Sequence, residues 1–286
     1  MNSEVETLSA ELRDELAANN RKLLRPPVDT RTVPARFHHL RAMAQSGLHC
    51  YAAFQDNRVL DSLSIRIGAG THAITFEQDY TVWTGKVRNG KVWDAFKREH
   101  ADRLILSQKE YDKASRIADA IRSHSEASAL LLGPDLFREK TISWEQLGRA
   151  RRSTPDAHDV DIVTELKTTK CSEPNRFQRD GLFRAYHAQL ADQCNAIAYY
   201  HRRRPSKAVI VAVETAEPYA VSLLELTARA LDRGDRMCRE WLERLLVCEA
   251  SQSWPPYCQS MVPFDVPDDD LELQFGDEAD GDDDAG

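Results

Sequence analysis

The chain has no apolar run of about 18 residues, so no segment reads as a membrane-crossing helix. It has no Cys-x-x-Cys pair. Its six cysteines, at positions 50, 171, 194, 238, 248 and 258, are scattered. That spacing argues against an iron–sulfur cluster, a structural zinc or a disulfide framework, and it fits a reducing cytoplasm. The first ten residues lack the apolar core of a secretory signal and the basic pattern of a transit peptide. No internal repeat is visible. Residues 265–286 contain eleven Asp/Glu and no Lys or Arg. Such a segment repels itself and cannot bury enough apolar surface to order, so a disordered acidic tail is expected over 265–286.

That tail hides the character of the rest. The whole chain carries a net charge of −8, with 38 basic and 46 acidic residues. Removing the eleven tail acids leaves 38 against 35 in residues 1–264, a net of +3. The body is mildly basic. Its length of 286 residues allows one large domain or two small ones, and 42% apolar with 29% charged residues is a globular composition. Residues 1–34 are polar and end in a Pro-rich loop, so they read as a partly flexible N-terminal extension.

Apolar spacing predicts helix over 35–55. Ile65 to His72 reads as a short apolar run feeding a Gly-containing turn. Ser107 with Glu110 is a capping box opening a helix to about His124. Strands are expected over 138–147, 161–168 and 207–214, with a shorter one from Tyr219. Pro174 marks the start of a helix continuing to about Tyr200, bent near Gly181. Ser222 with Glu225 reads as a second capping box, opening a helix to about Cys248. This order predicts an α/β core with an N-terminal helical elaboration.

The chemistry concentrates in Thr154-Pro-Asp156 and Glu165-Leu-Lys167. Glu165 and Lys167 lie two apart on a strand, so both leave the same face. Asp156 and Glu165 offer hard oxygen ligands for one or two Mg²⁺ ions. Lys167 would orient or help deprotonate a water and offset phosphate charge. Asp159 and Asp161 crowd the segment, and either could replace Asp156 as first ligand. Spacing also puts Tyr186, Gln189 and Gln193 on one helix face.

The run Thr154-Pro-Asp-Ala-His, Ile162-Val-Thr-Glu-Leu-Lys-Thr-Thr169, Phe177 and Tyr186-His-Ala-Gln189 resembles the PD-(D/E)xK nuclease superfamily. Within it the chain is similar to the RecE-type, exodeoxyribonuclease VIII-like branch common in phages and prophages. Gly68-Ala-Gly-Thr-His72, Trp83 to Phe96, Glu139 to Trp144 and Trp254-Pro-Pro-Tyr257 extend the resemblance over roughly 35–260. It implies a restriction-endonuclease-like core, a central mixed sheet flanked by helices, in a nuclease domain at 35–264. It implies metal-binding roles for Asp156 and Glu165, a third ligand in His72, and catalysis by Lys167. Gln189 would support the site or contact the phosphate, with Tyr186 beside it. Glu139 is a weaker candidate for outer support.

The activity implied is Mg²⁺-dependent digestion of double-stranded DNA ends, 5′→3′, leaving single-stranded tails for recombination, with Mn²⁺ able to substitute. A ring-like homo-oligomer and a single-strand annealing recombinase as partner are implied too. An endonuclease, a single-strand nuclease and a non-catalytic DNA-binding phage accessory protein stand as alternatives. Arg151, Arg152, Lys170 and Arg176 flank the motif and are the expected DNA contacts, through sequence-independent phosphate binding.

Overall fold

The computed structural model describes residues 28–55, 62–258 and 260–264. The acidic tail expected over 265–286 and most of the extension expected over 1–34 lie outside the described residues. After a 3-10 turn at Thr30–Thr32, the helices are α1 (Phe37–Gln45), α2 (Gly47–Gln55), α3 (Leu63–Thr75), α4 (Gly90–Glu99), α5 (Gln108–Ser123), α6 (Ser125–Leu132), α7 (Pro174–Phe183), α8 (Tyr186–His201) and α9 (Ala228–Ser251). The strands are β1 (Tyr80–Trp83), β2 (Leu104–Ser107), β3 (Phe137–Arg138), β4 (Ile142–Gln146), β5 (Arg149–Ser153), β6 (Ala157–His158), β7 (Ile162–Thr169), β8 (Lys207–Glu214) and β9 (Val221–Glu225).

Five strands form the central sheet in the order β3-β6-β7-β8-β9. Only β7 and β8 run parallel, so the sheet is mixed, as expected. Strand β8 is an almost continuous apolar run because both its faces are covered. On one face Val163, Ala208 and Ile210 pack with Phe177, Leu190, Cys194 and Ile197 of α7 and α8. On the other, Leu166, Val211 and Val213 pack with Ile67, Ile117, Ile121 and Leu131 of α3, α5 and α6. A third core joins α1 and α2 to α9 through Leu40, Met43, Cys50, Trp241, Leu242 and Leu245. This is the N-terminal helical elaboration. Helices α8 and α9 approach closely because Gly234 has no side chain. A Cβ there would lie 2.4 Å from the His187 carbonyl oxygen and 2.9 Å from Ala188 Cα.

Several local expectations change. Residues 65–72 are helix, not turn. Ser62 caps α3 by accepting from Ile65 N–H at 3.3 Å, and Gly70 serves close packing, since a Cβ there would meet Leu106 and Ala114 at 3.1–3.2 Å. The helix expected from Pro174 to Tyr200 is two helices, interrupted at Arg184 and Ala185. Ala185 adopts a left-handed conformation with φ of 57°. Ser222 and Glu225 lie within β9, where Leu223 and Leu224 pair with Val211 and Ile210. Cross-strand pairing outweighs the local capping pattern, and Thr227 caps α9 instead. Among the described residues no helix is long and apolar enough to cross a membrane.

Candidate active site

Sheet register assembles the site. Arg138 of β3 pairs with Ala157 of β6, and Ala157 pairs with Thr164 of β7. One residue further along, Glu139, Asp156 and Glu165 stand in a row across three strands. The Glu139 N–H donates to the Asp156 carbonyl at 3.0 Å and fixes that end of the row. Asp156 Oδ2 accepts from the Leu166 N–H at 2.7 Å, which turns Oδ1 away from β7. Helix α3 passes beside Leu166 and delivers His72. Its Nε2 lies 3.2 Å from the Leu166 carbonyl oxygen, and its Nδ1 lies 3.7 Å from both Glu139 Oε1 and Asp156 Oδ1.

One ligand atom from each of His72, Glu139 and Asp156 falls within 4.8 Å of the others. Two carboxylates and an imidazole form a donor set that suits a divalent cation. Electrostatics mark the crowding. Desolvation pulls the His72 pKa down, but the Asp156 charge and the Glu139 contact outweigh it and raise it to about 9. Burial and the Glu165 charge push Asp156 up to about 7, against His72 and Lys167. Strongly shifted values in neighbouring buried groups are a signature of functional sites.

Glu165 is anchored from the opposite side. Strand alternation turns it toward α8, where Gln189 Nε2 donates to Oε1 at 2.5 Å and Gln193 Nε2 donates to Oε2 at 2.7 Å. Lys167 Nζ donates to Oε1 at 2.6 Å. Burial would raise the Glu165 pKa, yet the charge and hydrogen bond of Lys167 and the Gln193 amide hold it below the usual carboxylate range. Burial would also lower Lys167, but Glu165 and Asp156 hold it above its ordinary value. Lys167 is therefore an ammonium here. The Tyr186 ring lies 5.1 Å from Nζ and covers it.

The structure thus brings Asp156, Glu165, Lys167, Gln189, Tyr186 and His72 together. It gives Glu139 a larger place than the sequence suggested, in the three-donor group to which Glu165 is adjacent. Gln193 is added as a second amide on Glu165. Asp159 instead accepts from the Asp161 and Ile162 N–H groups, and Asp161 pairs with Arg203.

Two clefts open at Lys167. One, of about 540 Å³, is lined by Gly68, His72, Lys170, Arg176, Arg184 and Tyr186. The other, of about 390 Å³, is lined by Arg36, Arg41, Arg152, Arg184, Tyr186 and Gln189. Lys170, Arg176 and Arg152 therefore border open space beside the motif. Arg151 does not, which corrects the expectation. It is fully buried, with its guanidinium 2.6 Å from Asp192 Oδ1 and further bonds to the Gln146 side chain and the Ala35 carbonyl. It joins β5 to α8 and has no surface to offer DNA.

The family model described as "PDDEXK-like domain of unknown function (DUF3799)" matches residues 38–262. The chain belongs to the PDDEXK-like family. No curated protein matches it in sequence. Among solved structures, a presumed exonuclease from Eubacterium rectale aligns at a TM-score of 0.56 with 11% identity, over 85% of this chain and 93% of that one. That likeness shows a shared fold. An alkaline exonuclease from Laribacter hongkongensis aligns at a TM-score of 0.30 with 10% identity, over 48% of this chain and 69% of that one, too slight to carry argument. Membership places the acidic row of this PDDEXK-like domain in a nuclease fold, and the resemblance drawn from Asp156, Glu165 and Lys167 holds at the level of the family.

Proposed function

We propose that this PDDEXK-like protein is a divalent-cation-dependent exodeoxyribonuclease that hydrolyses phosphodiesters from double-stranded DNA ends. The supporting observation is the gathering of Asp156, Glu139 and His72 beside a Glu165–Lys167 pair at the junction of two clefts bordered by basic residues. The end-directed, 5′→3′ reading rests on the RecE-type sequence resemblance. So do the single-stranded tails for recombination, the annealing partner and the ring-like homo-oligomer.

Asp156, Glu139 and His72 would hold Mg²⁺, or Mn²⁺ in its place, with Glu165 at the edge of the group. When bound, the ion supplies charge stabilisation on the scissile phosphate and a more acidic attacking water. The protein's own part is positioning. Gln189 and Gln193 hold both Glu165 oxygens, and Glu165 holds Lys167. The Lys167 ammonium offsets the charge that builds on phosphate oxygens and donates a hydrogen bond to the attacking water. In-line displacement by that water breaks the bond to the 3′-oxygen, which takes up a proton as the released nucleotide's 3′-hydroxyl, and leaves the 5′-phosphate on the shortened strand.

The test is Mg²⁺-dependent cleavage of end-labelled linear duplex beside covalently closed circular duplex, for wild type and Lys167→Ala. Wild type should degrade the linear form and spare the circle, and the variant should leave both intact. Intact linear DNA with either Mg²⁺ or Mn²⁺ refutes the hydrolytic reading. Nicking of the circle refutes the end-directed one.

A further inference from the structure

The smaller of the two clefts at Lys167 has an unusual lining. Arg36, Arg41, Arg152 and Arg184 converge there with His38, and no Asp or Glu lines it. The backbone explains the assembly. The Ala35 N–H donates to the Ala150 carbonyl at 2.9 Å and the Arg152 N–H to the Ala35 carbonyl at 3.0 Å. This staples the segment before α1 onto β5 and sets Arg36 beside Arg152. Arg41 follows on α1, and Arg184 comes from the break between α7 and α8.

A surface arginine cluster is ordinarily diluted by carboxylates, and here the same strand supplies the contrast. Arg149 pairs with Glu249 at 3.1 Å and Arg151 with Asp192 at 2.6 Å. Arg152, one residue on, has no ion pair among the described residues, and neither do Arg36, Arg41 and Arg184. The Arg152 Nε is buried without a hydrogen-bond partner among the described residues. The cluster also sits at the start of α1, whose first turn has no acidic residue. Helix dipoles disfavour cations at that end. An anion in the recess relieves the unpaired guanidinium charges and the unfavourable helix end together.

We infer that this arginine-lined recess is a phosphate-binding subsite, which takes one or more non-scissile phosphates of the DNA strand lying across Lys167. The inference rests on the nuclease reading for the identity of the strand. The recess shares Lys167, Arg184 and Tyr186 with the cleft bordered by Lys170 and Arg176, so a strand crossing the acidic row leaves one basic cleft and enters the other. Arg36 and Arg41 come from one segment and Arg184 from another, far from it in sequence, and spacing around the motif could not collect them.

The experiment measures binding of a fluorescent duplex oligonucleotide to the full chain in EDTA, where no hydrolysis occurs, across a salt titration. Wild type is compared with Arg36→Ala/Arg41→Ala and Arg36→Lys/Arg41→Lys. The slope of log affinity against log salt should fall by about one for each arginine removed from a phosphate, and the lysine pair should restore it. Duplexes with a 5′-phosphate and a 5′-hydroxyl separate two sources. A loss confined to the phosphorylated end identifies a terminal phosphate, and an equal loss on both identifies backbone phosphates. A slope unchanged in the alanine pair overturns the inference. Absence of Mg²⁺-dependent cleavage with the slope change intact would refute the nuclease reading alone and leave the anion subsite standing.

Discussion

Binding of a cation to the His72, Glu139 and Asp156 group should expel protons, and the number is set by the structure. His72 is held protonated up to about pH 9 and Asp156 up to about pH 7. The sign follows directly. A ligand must give up its proton to bind an ion, so raised pKa values weaken apparent affinity at low pH and the penalty fades as pH rises. With those values His72 is nearly fully protonated at pH 7.5 and Asp156 about one-quarter so, and an ion should release about one proton. Near pH 6 both carry protons and the release should approach about two, whereas well above pH 9 it should vanish. Apparent affinity should therefore climb about tenfold per pH unit from 7.5 toward 9, and more steeply below 7. Calorimetric titration with Mn²⁺ in two buffers of different ionisation enthalpy counts the protons directly. The reasoning fails if no proton is released at pH 7.5, or if His72→Gln releases as many as wild type.

Three substitutions probe the supports. Gly234→Ala should destabilise the fold by about 3 kcal/mol or more, because the new methyl meets the His187 carbonyl across α8, and a Tm within a degree of wild type would contradict that crossing. Arg151→Ala leaves Asp192 buried without its partner and should cost about 3–5 kcal/mol in urea unfolding, while Arg152→Ala, on the cleft wall, should cost less than about 1 kcal/mol. Equal losses would show Arg151 to be no more structural than its neighbour. Gln193→Leu removes one charge-assisted hydrogen bond from Glu165, so kcat should fall by about 10- to 100-fold with the fold intact by circular dichroism, and an unchanged rate would remove Gln193 from the site.

Much of this was legible in the residues, for identifiable reasons. Strand β8 is a nearly unbroken apolar run and the motif strand β7 is rich in β-branched residues, each over eight residues, long enough for pattern to dominate. The capping box at Ser107 and Glu110 is realised because both hydrogen bonds lie within one helical turn. What failed depended on partners distant in sequence. Glu139 follows a two-residue strand, too short for any periodicity, and gains its place only through register with Asp156. Ser222 and Glu225 carried a helix signal that pairing with β8 overrode. Arg151 and Arg152 look alike in sequence and were assigned one role. Alternation along β5 sends the first inward to Asp192 and the second to the cleft wall. His187 is likewise placed by a distant partner: α9 covers it, and its Nε2 lies 3.2 Å from Met237 Sδ.

The clamp on Glu165 has a consequence for handling the enzyme. Its donors come from α8 and β7, elements anchored by a hydrophobic core rather than by an ion. Chelation should therefore silence the protein while leaving its shape and melting behaviour largely intact. Readdition of Mg²⁺ should restore full turnover at once, with no slow recovery phase of the sort seen when a domain must rebuild itself around its cation.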